Sequence, residues 1–510
     1  MNSTNRMAFN TIVLYANLVI TIVVNLYATR LILNALGVSD YGIVNLISGI
    51  VAMLSFVQNS MTVSTQRFMS VSIGKRDKNL LSNIFNSSLT LHLFLSIFII
   101  IILESLIPVV FNSSLQIPAD RIFESKVLYH CTVLSTVIVF IGVPFDASIN
   151  AHEDMVVYAI STIVESIVRM MGAFILIGYE QDKLLFYAFL VILVRLCSFA
   201  IKLFYCILKY KDAKIDLRSS SFKQIQEMFS FAFWNMFGAL SLAARNQGVA
   251  IVMNTFWGII VNAAYGIAVQ ISGQLSNFTA TISKAIAPQI MQREGAGDST
   301  GMLSLSIKQS RISSFLLLFM VVPLYVTMDY LLVLWLKEVP DYTVSFCKVM
   351  VVLSFLQQLT VGLQTAIQAK GKIRNYQLIM SIIILMNLPF CYLLLKFGFS
   401  PVISLSVMLA IELACIIARV WSAKILVSLN IYYYIKDLII PVAGCVALAS
   451  IAAYIMIQFF FSSINNISSF VIFIAIDTLV NAFICFCFLD KEEKRSLFSM
   501  IKTLKNKLFG

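Results

Sequence analysis

Charge is what this sequence has least of. Asp, Glu, Lys and Arg make up 12% of its 510 residues, while 59% are hydrophobic. Soluble domains carry roughly twice that charge, about 25%, so a large soluble core is excluded. Histidine is nearly absent, with only His92, His130 and His152, scattered and without an H-E-x-x-H pair. No G-x-x-x-x-G-K-[ST] loop occurs, so the chain does not itself hydrolyse ATP. The nine cysteines have no metal-site or disulfide spacing and nearly all lie in apolar runs, where they read as small fillers. No nucleophile sits beside a base, and no long polar loop is present to hold catalytic acids. The chain is expected to be no enzyme and to need no metal or cofactor. Its net charge of +12 would point to nucleic acid in a soluble protein; here it is expected to orient the chain in a membrane instead.

What is present is a succession of uncharged apolar runs of about 20 residues, the length that crosses a bilayer. The first is too long for a signal-peptide core and no cleavage site follows it, so it is expected to remain. Fourteen helices are predicted, at about 9–35, 42–71, 82–110, 122–147, 155–178, 184–208, 226–256, 261–290, 311–336, 343–369, 374–396, 401–427, 436–461 and 467–489. Lys and Arg gather in alternate loops, from Arg6 through Lys75, Arg76 and Lys78 to the tail Lys502, Lys505 and Lys507. Only Arg121, Lys126, Lys183, Lys337 and Lys396 fall in the opposite loops. Both termini are therefore expected on the cytoplasmic side.

The stretch from Asn25 to Asp77 recurs. Tyr41-Gly42-Ile43 returns as Tyr265-Gly266-Ile267, Asn25 as Asn246, Asn34 as Asn254, and Gly74-x-x-Asp77 as Gly295-x-x-Asp298. Six helices separate the copies, an even number, so both run the same way through the membrane. The fold class is therefore an all-α polytopic membrane protein with two parallel-repeat six-helix bundles and two added C-terminal helices. The expected domains are 1–209 (first lobe), 210–225 (basic linker), 226–428 (second lobe), 429–490 (helices 13 and 14) and 491–510 (basic tail).

Each copy carries a polar stripe at helical spacing: Ser48, Ser55, Asn59, Thr62 and Gln66 in the first, Gln270, Gln274, Asn277, Thr281 and Lys284 in the second. Gln357, Gln364 and Gln368 form a third row. Such rows either join helices by hydrogen bonds or line a hydrated cavity; for the two matching stripes, the cavity is the expected reading. Charges within spans each need a reason, since one costs about 2.5 kcal/mol or more. Glu165 and Arg169, four apart, are expected to pair on one helix face. Glu412 and Arg419, two turns apart, would pair through another helix, and Arg195 has no local partner. Arg30, Arg67, Arg245 and Lys284 have no acid within a turn and form the candidate cationic cavity, suited to a phosphate. For Arg30 and Arg67, snorkelling to the interface is the equal alternative. The polar lining would be Asn59, Thr62, Gln66, Gln270, Gln274, Asn277 and Gln364. Pro144, Pro288 and Pro389 are candidate kinks.

The run L-Y-A-T-R-L-I-L-N-A-L-G-V-S-D-Y-G-I-V-N, followed by S-T-Q-R-F and G-K-R-D, resembles the polysaccharide-exporter and O-antigen flippase branch of the multidrug/oligosaccharidyl-lipid/polysaccharide (MOP) superfamily, the superfamily of the MATE transporters. The resemblance implies two six-helix lobes that rock between inward-open and outward-open states around a central cavity. It implies an undecaprenyl-pyrophosphate-linked oligosaccharide as substrate, crossing the bacterial cytoplasmic membrane, with its pyrophosphate on Arg30, Arg67, Arg245 and Lys284. Polysaccharide polymerase or assembly proteins, membrane lipids and a coupling ion, H+ or Na+, are the implied partners, and nucleic acid is not. The competing readings are a cation-coupled multidrug antiporter of the same superfamily, which commonly uses acidic cavity residues, and a non-transporting scaffold of polysaccharide assembly.

Overall fold

The fold is that of a computed structural model, which describes residues 3–52, 54–112, 117–336, 338–459, 466–490 and residue 494. Apart from residue 494, the expected basic tail lies outside the described residues. Among the described residues there is no strand, and eleven helices are long and apolar enough to cross a membrane, twelve when a bent pair is counted as one span. Two of the eleven contain a glycine break: Ser3–Ala52 at Gly37 and Phe222–Gly295 at Gly258. Taking each break as a turn between two spans gives the fourteen expected from sequence.

The helices begin where polar residues cap them. Asp77, Asp182, Ser400, Asn430 and Asn466 each accept a backbone N–H two or three residues on. Ser400 is followed by Pro401, whose missing N–H costs nothing at the first helical position. Within lipid these helices must satisfy their own backbone.

The repeat is visible in backbone angles. Gly37 (φ 77°, ψ 172°) and Gly258 (φ 77°, ψ −169°) break their helices in the same conformation. Arg76 (φ 59°) and Gly297 (φ 77°) are both left-handed. Asp77 and Asp298, the next residues, each accept a backbone N–H three residues on, from Leu80 and from Gly301. All three pairs are about 221 residues apart in the numbering. The Tyr-Gly-Ile motif recurs three residues out of that register, and the first copy alone has an interruption, between Ala52 and Ser55.

The chain divides into two compact units, Phe9–Met236 and Phe237–Gly510 together with Met1–Ala8. In the first, the helix Ile122–Ala151 is central and packs on Ser55–Lys75, Lys78–Ser105 and Lys183–Lys209. Its fully buried Tyr129, Phe140 and Phe145 anchor two apolar clusters, with Phe145 edge-on to Phe85 (5.4 Å) and Phe199 (5.8 Å). The segment 210–224 is tied to this unit: Asn86 bonds Lys214 and Asp216, and Ser87 bonds Ser221 and Gln224. Asp154 accepts from Tyr210, from Tyr205 (3.2 Å) and from Lys209 (3.0 Å). His152 stacks on Tyr210 at 3.9 Å.

In the second unit, Ser299–Leu336 packs on the bent pair Thr343–Gln358 and Val361–Lys370, and on the C-terminal helices Ile440–Phe459 and Ile467–Phe488. Arg311 fastens both C-terminal helices, donating to the Asp437 carbonyl (3.0 Å) and pairing with Asp490 (2.5 Å).

Candidate functional site

Exposed side chains separate two kinds of helix face. On Met155–Ile177 the exposed positions include Ile160, Ile167, Met171 and Phe174, as lipid requires. Between residues 39 and 93, and again between 261 and 324, no large hydrophobic side chain is exposed among the described residues. The first copy exposes Gly42, Asn45, Ser48, Gly49, Ser55 and Asn59. The second exposes Gly266, Gln270, Gly273, Gln274, Ser276 and Asn277, with two alanines. A face of amides, hydroxyls and glycines within a span is costly against hydrocarbon, so neither face suits lipid. Thr62 and Thr281 are half-buried and donate to their own helices. Gln66 turns inward and is buried, and Gln364 is half-buried.

The four candidate cations lie in unlike surroundings. Arg30 is exposed on a face shared with Val23, Leu26, Tyr27 and Leu33, the surroundings of a snorkelling arginine. Arg67 is half-buried, its guanidinium 4.6 Å from the Phe68 ring and 5.3 Å from Phe231. Lys284 is half-buried at the end of the second polar stripe. Arg245 alone is buried, at 4% exposure. Its Nε and Nη2 both donate to Asn246 Oδ1, at 3.2 and 3.1 Å, and no carboxylate lies within ion-pair distance among the described residues. Tyr265 donates to the Asn246 carbonyl at 3.3 Å. At about 1.5 Å per residue, Arg245 lies about 20 Å along its helix from the Gly258 break and Lys284 about 39 Å. With the break at one face of a hydrocarbon layer about 30 Å thick, Arg245 is within the layer and Lys284 past its far side.

Around Arg245 the second unit contains further buried polarity. Cys415 is within electrostatic range of Arg245, Glu412 and Arg419. Glu412 is buried, 4.0 Å from Arg419, with Gln357 Nε2 at 3.5 Å. Arg419 donates to Tyr376 (3.0 Å) and to the Thr360 hydroxyl. Thr360 marks a 45° bend between Thr343–Gln358 and Val361–Lys370. The bend leaves backbone groups open, and other helices satisfy them: Tyr434 donates to the Leu359 carbonyl (2.8 Å), and Ser310 accepts from Gly362 N (2.9 Å). Gly362 is required there, since a Cβ would stand 1.8 Å from the Ser306 carbonyl oxygen. No proline causes this bend, so the candidate kinks Pro144, Pro288 and Pro389 do not account for it.

One expected pair is corrected. Glu165 does not pair with Arg169 but with Arg195, at 2.5 Å on the neighbouring helix. Met155–Ile177 and Lys183–Lys209 form a hairpin, and residues 165 and 195 are equidistant from its turn, hence level. That symmetry was the available sequence signal. Asp146 pairs with Lys202 (2.8 Å) and Glu104 with His130 (3.0 Å). Asp477, buried in the last helix, was missed among the membrane charges.

Compared by sequence, the chain matches no family model and no curated protein. Its fold is that of solved MATE transporters of the MOP superfamily. A crystal structure of MATE in complex with MaL6 aligns with a TM-score of 0.72 at 14% identity, over 84% of this chain and 99% of that one. An outward-facing multidrug resistance MATE family transporter of the MOP superfamily gives 0.72 at 16%, over 83% and 95%. A MOP superfamily transporter from Pyrococcus furiosus, described as having a binding pocket of reverse polarity that suggests a different function, gives 0.72 at 15%, over 84% and 98%.

Proposed function

We propose that the chain is a flippase for a lipid-linked, undecaprenyl-pyrophosphate oligosaccharide, moving it across the bacterial cytoplasmic membrane for surface polysaccharide or O-antigen synthesis. The observation that carries this reading is Arg245. A buried guanidinium with no carboxylate partner among the described residues has donors to spare and a charge to neutralise, and a phosphate supplies both acceptors and charge. Water-facing amides on each unit provide hydrogen-bond partners for sugar hydroxyls. The substrate is then carried by alternating access, with the lipid tail in the bilayer and the headgroup along the polar faces. Both termini lie in the cytoplasm in this reading, as the loop charges direct. Lys284, past the far side of the layer from the Gly258 break, meets the phosphate at entry. Arg245 holds it within the membrane.

The antiporter reading is favoured by one observation, the buried carboxylate of Glu412. Arg419 stands 4.0 Å from it, however, and with Arg245 in range the group carries net positive charge. Such a site repels a cationic drug.

Arg245→Gln tests the proposal. It should lower affinity for a pyrophosphate lipid by about 10- to 100-fold, the loss of about 1.5–3 kcal/mol of charged hydrogen bonding. Export of surface polysaccharide should stop while the protein stays in the membrane. Arg245→Lys should recover part of the affinity, since it restores charge without the planar fork. Normal export by both Arg245→Gln and Lys284→Gln would sink the cationic-site reading.

A further inference from the structure

The helix Ile467–Phe488 lies outside the repeat. Its buried residues are Phe470, Phe473, Asp477, Asn481 and Cys485, in steps of three and four that make one stripe. An aspartate and an asparagine thus interrupt an apolar packing face, and neither has any exposed surface. Asn481 Nδ2 donates to Asp477 Oδ2 at 2.7 Å. The other carboxylate oxygen, Asp477 Oδ1, and the amide oxygen, Asn481 Oδ1, have no hydrogen-bond partner among the described residues. The pair is short of a donor and of positive charge.

The neighbouring helices supply neither. Cys445, Ala449 and Ala453 form the buried stripe of the preceding helix, and Gly444 lies against the Phe488 ring, so the antiparallel register sets the fully buried Ala449 about level with Asn481 and Ala453 with Asp477. On the other side, the Tyr330–Phe470 ring contact (5.1 Å) and the Arg311–Asp490 pair fix the register of Ser299–Leu336. Between those anchors Asp477 falls about level with Pro323. Pro323 has no N–H, and the Thr327 hydroxyl is committed to the Pro323 carbonyl at 2.7 Å. The charged groups on the packed helices are Lys308, Arg311 and Asp329 on one, and Lys436 and Asp437 at the start of the other. Arg311 holds Asp490, and Asp329 holds Lys348 at 3.0 Å. Tyr325 is exposed with Lys348 5.7 Å over its ring, Tyr330 packs on Phe470, Tyr454 is exposed, and Cys445 and Cys485 are buried thiols. None of these groups forms an ion pair or hydrogen bond with Asp477. A bare carboxylate there would cost several kcal/mol, and a group so placed neutralises instead.

We propose that Asp477, backed by Asn481, is a proton-binding site that fastens the C-terminal helix pair to Ser299–Leu336. The pair docks with a proton on the Asp477 carboxyl. When that proton leaves to water, a charge without a partner is left in the packed face, and the helix loosens. The proposal does not rest on the transport reading.

The test is hydrogen–deuterium exchange over residues 467–488 in the full-length protein in lipid nanodiscs, from acid to alkaline pH, for wild type and Asp477→Asn. Their ratio cancels the intrinsic pH dependence of exchange. The docked form keeps a proton that the opened form releases, so docking weakens as pH rises. Wild-type protection should fall by about tenfold per pH unit relative to the variant, from the ordinary carboxyl range upward until the docked form deprotonates. Asp477→Asn should show no such slope. If that variant does not fold, Asn481→Ala keeps the carboxyl and removes its partner, and the slope should end at a different pH from wild type. A wild-type ratio flat with pH overturns the proposal. So does a slope that Asn481→Ala leaves unmoved, or a protection that follows sodium concentration and not pH.

Discussion

Asp154 shows how single residues are held at the membrane boundary. Burial disfavours its charge, but hydrogen bonds from Tyr210 and Lys209, the Lys209 charge and the Tyr205 hydroxyl outweigh that and hold the carboxyl below its ordinary range. A depressed carboxyl stabilises the fold above its unfolded pKa of about 3.9, and that contribution is lost as pH falls through the folded value. The expected outcome is an acid-side loss of thermal stability in detergent that is smaller in Asp154→Asn. An acid limb of the same size in both would show that the clasp on 210–224 does not depend on this charge. At this scale the sequence was only partly legible. His152-Glu153-Asp154 reads as an acidic exception to the loop charges, and nothing in the local spacing reveals that Tyr205, Lys209 and Tyr210 close over it. Glu165 misled in a related way: a partner one turn away on its own helix is read off directly, and the one on the next helix only from the symmetry of the hairpin. Asp477 sits in a largely apolar run, and its burial and its orphaned Oδ1 mark it.

Among the helices, the two glycine breaks are the most constrained features. With φ of 77° and ψ near 180°, Gly37 and Gly258 occupy a region open essentially to glycine alone. A Cβ at either position would meet nothing within 4 Å, so any cost of substitution comes from the backbone and not from crowding. Gly37→Ala and Gly258→Ala are each expected to destabilise by about 1–3 kcal/mol, read as a lower thermal midpoint in detergent. An unchanged midpoint in both would mean that the turn relaxes into another conformation. Gly37 was legible as a turn because Gly37-Val38-Ser39-Asp40-Tyr41-Gly42 breaks the apolar run. Gly258 lies among Trp257, Ile259 and Ile260, in the break between the expected helices 226–256 and 261–290, so the turn was placed although the motif match at Tyr265 is three residues out of register. The Thr360 bend was illegible altogether: its backbone is satisfied by Ser310 and Tyr434 and its threonine hydroxyl by Arg419, residues from three other segments.

For the molecule as a whole, the architecture was readable because bilayer thickness, loop charge and an internal repeat each leave long-range marks in sequence. The candidate site was less readable. Periodicity identified the two polar stripes, and exposure then showed that their faces contain no large apolar side chain. The four cations share a type and a place in the repeat but not an environment, and Arg245 is the buried one, with no carboxylate in ion-pair distance among the described residues. A fold shared at 14–16% identity does not fix what a chain acts on; in the proposed reading, the choice of cargo falls to such residues. The most direct measurement is therefore transport by the purified protein in liposomes carrying a pyrophosphate-linked glycolipid, with a cationic dye offered in the same vesicles. The account predicts that the glycolipid changes leaflet at a rate that Arg245→Gln abolishes, and that the dye does not cross. Transport of the dye with the glycolipid left in place would contradict it.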